Sequence, residues 1–98
     1  MTRRGFSIGQ DQEGVYLLEG ELSIHDLDEL RSFLDEALQG EEAISLSLAK
    51  VRFIDTAALQ LLVAFKRRSE SAARLQISAI SPEIEGILSL CGLKTALL

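Results

Sequence analysis

Three times along this chain the hydrophobic period switches from two residues to between three and four. GVYLL (14–18) precedes a helical pattern over 23–40, and AISLSL (43–48) one over 56–70. LQISAI (75–80) precedes another over 81–92. A period of two places alternate side chains on opposite sheet faces; a period near 3.6 places them on one helix stripe. A weaker strand, Phe6-Ser7-Ile8, comes first, joined to the next by the polar turn GQDQEG (9–14). The predicted order is β-β-α-β-α-β-α. Strands that alternate with helices pair in parallel through crossovers, and right-handed crossovers put successive helices on the same face unless the strand order reverses. That makes an α/β domain with a sheet containing parallel pairs. The tail LKTALL is open between a last edge strand and a final turn.

Local punctuation supports the helices. Ser23 followed by Asp26 fits the capping pattern, acids crowd the first turn, Leu27, Leu30, Leu34 and Leu38 form the stripe, and Gly40 stops it. Ser81 as N-cap, Pro82 at the first helical position and Gly92 as terminator frame the last helix. The basic segment Lys66-Arg67-Arg68 suits a helix C-terminus. In AISLSL, Ile44, Leu46 and Leu48 crowd one face, while Ala43, Ser45 and Ser47 leave the other small.

With 98 residues, the expectation is a single domain, 1–98, and a 47% hydrophobic content fills one core. No run approaches the roughly 18 apolar residues of a membrane span. The two arginines near the start have no apolar segment behind them, so no signal peptide is expected and the chain reads as cytoplasmic. One cysteine excludes an internal disulfide and a cysteine-only metal cluster, and with one histidine no metal site or cofactor is expected. Acids concentrate in residues 1–49 and bases in 50–98, for a net charge of −5. That balance, without interleaved aromatic and basic residues, argues against nucleic acid. Phosphate loops of the GxxxxGK[ST] and GxGxxG types are absent, as are GxSxG, HExxH and CxxC. No catalytic residues are expected. His25 reads as a surface or capping residue, and Cys91 as a small buried hydrophobe.

The segment FIDTAAL (53–59) carries the functional reading. On a helical wheel Ala58, Leu61, Leu62 and Phe65 gather into a core stripe. Thr56, Gln60, Val63, Ala64 and Arg67 gather on the opposite side, with Ala57 beside them. That outer side has no charge in its first two turns and mostly small side chains, as a docking surface does. Asp55 or Thr56 could cap the helix, a contribution of about 1 kcal/mol, and either alone would serve. A helix N-terminus also tolerates a phosphate, so Thr56 is a candidate switch.

At these residues the chain resembles the STAS family of anti-anti-sigma-factor-like domains. LEGELSIHDLDELRSFLDEAL (18–38), LSLAKVRFIDTAALQLLVAFKRR (46–68) and ISAISPEIEGILSLCGL (77–93) resemble three family motifs in the family's order. The resemblance implies a mixed sheet of four to five strands covered on one face by about three or four helices. It implies that Thr56, directly after Asp55, is the phosphoacceptor of an anti-sigma-type kinase, and that Asp55, Thr56, Ala57, Gln60, Val63, Ala64, Arg67 and Ser23 meet a protein partner. Ser23 stands where anti-anti-sigma regulators usually carry Asp, and Ala58 where they carry Gly. The chain therefore looks nearer to chemotaxis- and lipid-transport-associated members. The implied role is non-enzymatic signalling through partner exchange, sigma-factor or chemotaxis-linked. The alternative is a cytosolic STAS subunit regulating the ATPase of a phospholipid-transport ABC system.

Overall fold

The computed structural model describes residues 5–40, 43–68 and 74–97. Among them four strands form one sheet in the order β1-β2-β3-β4: Phe6–Gln10 (β1), Tyr16–Leu22 (β2), Ile44–Ile54 (β3) and Leu75–Ile80 (β4). β1 runs antiparallel to β2, whereas β2, β3 and β4 are parallel neighbours. The helices are Leu27–Ala37 (α1), Thr56–Arg67 (α2), Pro82–Cys91 (α3) and Lys94–Leu97 (α4). The fold is thus α/β with a mixed four-stranded sheet. Because the strand order does not reverse, both parallel crossovers turn the same way, and α1 packs beside α2. The tail is a helical turn, α4, and not a strand. Residues 69 and 70 of the expected 56–70 helix, and Leu98 of the tail, lie outside the described residues.

Three strands run longer than their sequence signals suggested, and β1 takes in Gly9 and Gln10 of the expected turn. β2 continues through Glu19-Gly20-Glu21 to Leu22. Gly20 makes this possible, with φ at 109° where a Cβ would lie 2.5 Å from the Gly5 carbonyl oxygen. β3 continues past AISLSL to Ile54, and its inward residues are Leu46, Leu48, Val51 and Ile54. That spacing of two, three and three follows from two register shifts against β2, where β3 carries an extra residue each time. A pure alternation of two breaks there.

The core forms between the sheet and its helices. Leu18, Leu22, Leu46 and Leu48 from the strands meet Leu30 and Leu34 of α1, Leu59 and Leu62 of α2, and Ile84 and Leu88 of α3, all essentially fully buried. Burying each such side chain contributes about 1.5–3 kcal/mol. Ser81 ties the start of α3 to β3: its hydroxyl caps Ile84 N at 3.2 Å and donates to the Val51 carbonyl at 2.6 Å.

Candidate docking site

Parallel pairing of β2 and β3 aligns Leu22 with Ile54, so the two strand-to-helix junctions emerge side by side at the carboxyl edge of the sheet. Asp55 joins them. Its backbone is extended (φ −88°, ψ 172°), as an N-cap requires. One carboxylate oxygen accepts from Ala58 N at 2.9 Å, capping α2. The other accepts from Ile24 N at 2.7 Å, at the start of a 3-10 turn over Ile24–Asp26 that leads into α1. Its own N–H donates to the Leu22 carbonyl at 3.0 Å. One carboxylate therefore serves two helical starts, each with exposed N–H groups and a positive dipole end.

This arrangement answers which residue caps. Asp55 does so, and Thr56 is the first residue of α2 proper, exposed to solvent. Among the described residues none hydrogen-bonds its hydroxyl. About one, two and three turns further, Gln60, Ala64 and Arg67 are also exposed, and Ala57 is half-buried. Val63 corrects the expected face: it is buried, at 2% exposure, as is Leu59 at 0%. The buried arc of α2 is wider than the wheel suggested because α2 meets α4 as well as α1, and α4 brings in a buried Leu97. The exposed stripe is therefore Thr56, Gln60, Ala64 and Arg67. Of the basic cluster, Lys66 Nζ donates to the Leu75 carbonyl and Arg68 pairs with Asp35 at 3.6 Å while lying over the Phe65 ring.

Ser23 borders the site but is occupied. Its hydroxyl accepts from His25 N at 3.3 Å and donates to Asp26 at 3.4 Å, and Asp26 in turn accepts from Gly5 N at 3.2 Å. The capping pattern is real, but the buried Asp26 reaches β1's approach and not the Ser23 amide. Ile24 escaped the sequence reading. It is 59% exposed although apolar, and its N–H is the one Asp55 holds. Three residues before Leu27, it continues the leucine stripe by spacing, which points to burial, but it falls in the 3-10 turn ahead of α1 and stays exposed.

Cys91 is exposed, contrary to the expected burial. The buried stripe of α3 comprises Ile84 and Leu88 and ends a turn earlier, before Gly92 turns the chain in the left-handed conformation (φ 68°). Among the described residues no three His, Cys, Asp or Glu side chains converge to hold a metal ion, and no helix is long and apolar enough to cross a membrane.

Comparison with known proteins gives two findings. A family model described as "Mlab, STAS domain" matches residues 8–98. An anti-sigma F factor antagonist from Paenibacillus polymyxa is 30% identical over 82 residues, covering 81% of this chain and 70% of that protein.

Proposed function

The chain belongs to the STAS domain family, and on that premise we propose that it is a non-enzymatic interaction module in a bacterial signalling partner switch. Its partner is an anti-sigma-type kinase or another signalling protein, and Thr56 is the phosphoacceptor. One observation carries the reading: Asp55 takes both capping bonds, leaving the Thr56 hydroxyl exposed, with no hydrogen bond to it among the described residues, at the head of a stripe of small and weakly polar residues. The likeness to an anti-sigma F factor antagonist supports the signalling role.

In this reading the unmodified stripe docks and Ile24 supplies apolar contact beside it. Transfer of a phosphoryl group to Thr56 Oγ1 adds nearly two negative charges within a turn of the Asp55 carboxylate. The helix start tolerates that charge, since N-terminal N–H groups and the dipole favour an anion. An interface that must desolvate it does not. The fold survives and the complex dissociates.

A second reading, a cytosolic STAS subunit that regulates the ATPase of a phospholipid-transport ABC system, is supported by Ser23 and Ala58, which depart from the anti-anti-sigma pattern. The matching family model bears the name Mlab and not that of the sigma antagonists, which weighs the same way. Calorimetric titration against a purified anti-sigma-type kinase and a purified ABC ATPase separates the two. Incubation with the kinase and ATP, followed by peptide mass spectrometry, tests the modification. Phosphate on another residue, with Thr56 unmodified, removes the switch.

A further inference from the structure

α1 and α2 follow parallel strands and pack side by side, so their axes run roughly parallel. Between them lies an open cleft, lined by Arg31 and Asp35 of α1 and by Leu61, Ala64, Phe65 and Arg68 of α2. Its floor is apolar: Phe65 is buried, Leu61 half-buried and Ala64 exposed. Arg68 bridges the two helices at the end remote from Thr56, 3.6 Å from Asp35 and 4.5 Å from the Phe65 ring centroid. Ala64 belongs both to this floor and to the exposed stripe of α2.

Charge around the cleft has one sign left over. α2 contains no acid, and of the bases at its end Lys66 donates to the Leu75 carbonyl while Arg68 pairs with Asp35. Arg67 is exposed on the outer margin, and among the described residues it makes no ion pair or hydrogen bond. The same holds for Arg31 on the α1 wall, the one base in a helix that carries Asp28, Glu29, Asp35 and Glu36. Asp28, Glu29 and Glu36 line a different hollow, with Ile8 and Phe33. α1 therefore turns only Arg31 and the paired Asp35 to the cleft. A cation at the end of α2 suits that helix's dipole, but Arg31, in the second turn of α1, gains nothing from its own.

From these observations we infer that the cleft receives an amphipathic helix of the protein partner, with acidic residues on both flanks of its apolar stripe. A groove between two parallel helices is matched by a third, whose ridge of side chains three and four apart seats on Leu61, Ala64 and Phe65. The small Ala64 lets the incoming helix approach closely. An extended segment finds no sheet edge here, since the main chains of α1 and α2 bond within their own helices. From Leu61 to Arg68 the cleft runs about 10 Å at 1.5 Å per residue, two turns of helix. Carboxylates on the two flanks meet Arg31 and Arg67 in charge-assisted hydrogen bonds, and a basic helix is rejected because it would bring like charge against both. The inference rests on the proposed docking stripe, which it carries from Thr56 across Ala64 into the cleft, and it gives the partner its chemistry.

The test uses the full chain and a synthetic peptide of three Glu-Leu-Ala-Ala-Leu-Glu-Ala repeats, acetylated and amidated at its ends. Its leucines form one helical stripe with glutamates on both flanks. The controls are its Lys-for-Glu counterpart, a scrambled peptide of the same composition, and phosphatidylglycerol vesicles. Amide NMR is expected to show saturable shifts at residues 31–35 and 61–68 with the ordered acidic peptide only. Arg31→Glu with Arg67→Glu should weaken binding at least tenfold, and so should Ala64→Gln, which fills the floor. Both variants should keep the melting temperature, since all three side chains are exposed. Thr56 lies about 12 Å along α2 from Ala64, so Thr56→Glu should leave the peptide's affinity unchanged. Absence of shifts at millimolar peptide, equal binding by the basic or scrambled peptide, full affinity in the double variant, or vesicles bound through these residues in place of the peptide would each overturn the inference. The reading of Thr56 fails separately, by the response of the partner complex to Thr56→Glu.

Discussion

Asp55→Ala should cost far more than a surface substitution, because one side chain closes two junctions. Loss of the bond to Ala58 N removes the N-cap of α2, about 1 kcal/mol. Loss of the bond to Ile24 N removes a charge-assisted contact at 2.7 Å between the ends of β2 and β3, about 1–2 kcal/mol more. Together they amount to about 2–3 kcal/mol, a large share of the stability of a domain of this size. Near the melting point that corresponds to roughly 10–20 °C. Urea unfolding followed by circular dichroism measures it, and the slope with denaturant should stay constant, since the buried surface is little changed. Asp55→Asn keeps one acceptor oxygen and should lose about half as much. A loss under about 0.5 kcal/mol in the alanine variant would show that the carboxylate does not hold the two junctions together, and the account of why Thr56 is free would fail with it.

Other expectations follow from the two sides of α2. Leu62 is fully buried, so Leu62→Ala should destabilise by about 2–5 kcal/mol in the same urea assay; a change under about 0.5 kcal/mol would mean that the helix faces are reversed. The double variant Gln60→Ala, Arg67→Ala should leave the melting temperature nearly unchanged, since both side chains are exposed. Calorimetry should show it weakening partner binding, because Arg is a frequent interface anchor. Arg67 lies about 16 Å along the helix from Thr56, twice the Debye length of about 8 Å at physiological salt. Amide NMR of the phosphorylated protein should therefore show shifts near Asp55 and the first turn of α2, and large shifts around Arg67 would contradict that.

Where the sequence was legible, each element had one strong local signal. The three period switches mark the strand-to-helix junctions that lead into α1, α2 and α3, and Ser81-Pro82 with Gly92 frames α3 as expected. Signals failed where the answer depends on a neighbouring segment. Asp55 and Thr56 both favour N-caps, and only the extended backbone at Asp55, fixed by the Leu22–Ile54 pairing, decides between them. Val63 faces outward on a wheel until α4 returns to cover α2, and nothing in LKTALL alone reveals that contact. Cys91 sits among leucines in the sequence, yet its neighbour Leu90 is 90% exposed. Apolar neighbours in sequence are not neighbours in the core. The two bulges in β3 erase its alternation after Leu48, so the second half of the strand carries no period to read.

The central claim is that the Thr56 hydroxyl stands free on a docking stripe. Calorimetric titration of the wild type and of Thr56→Glu, against whichever of the two candidate partners binds the unmodified protein, tests it most directly. The glutamate should leave the unfolding free energy in urea within about 0.5 kcal/mol of wild type, because a charge at the first turn suits the helix dipole. It should weaken the complex at least tenfold, about 1.4 kcal/mol. Equal affinity of the two forms, with the fold intact, would contradict the claim and remove Thr56 from the interface.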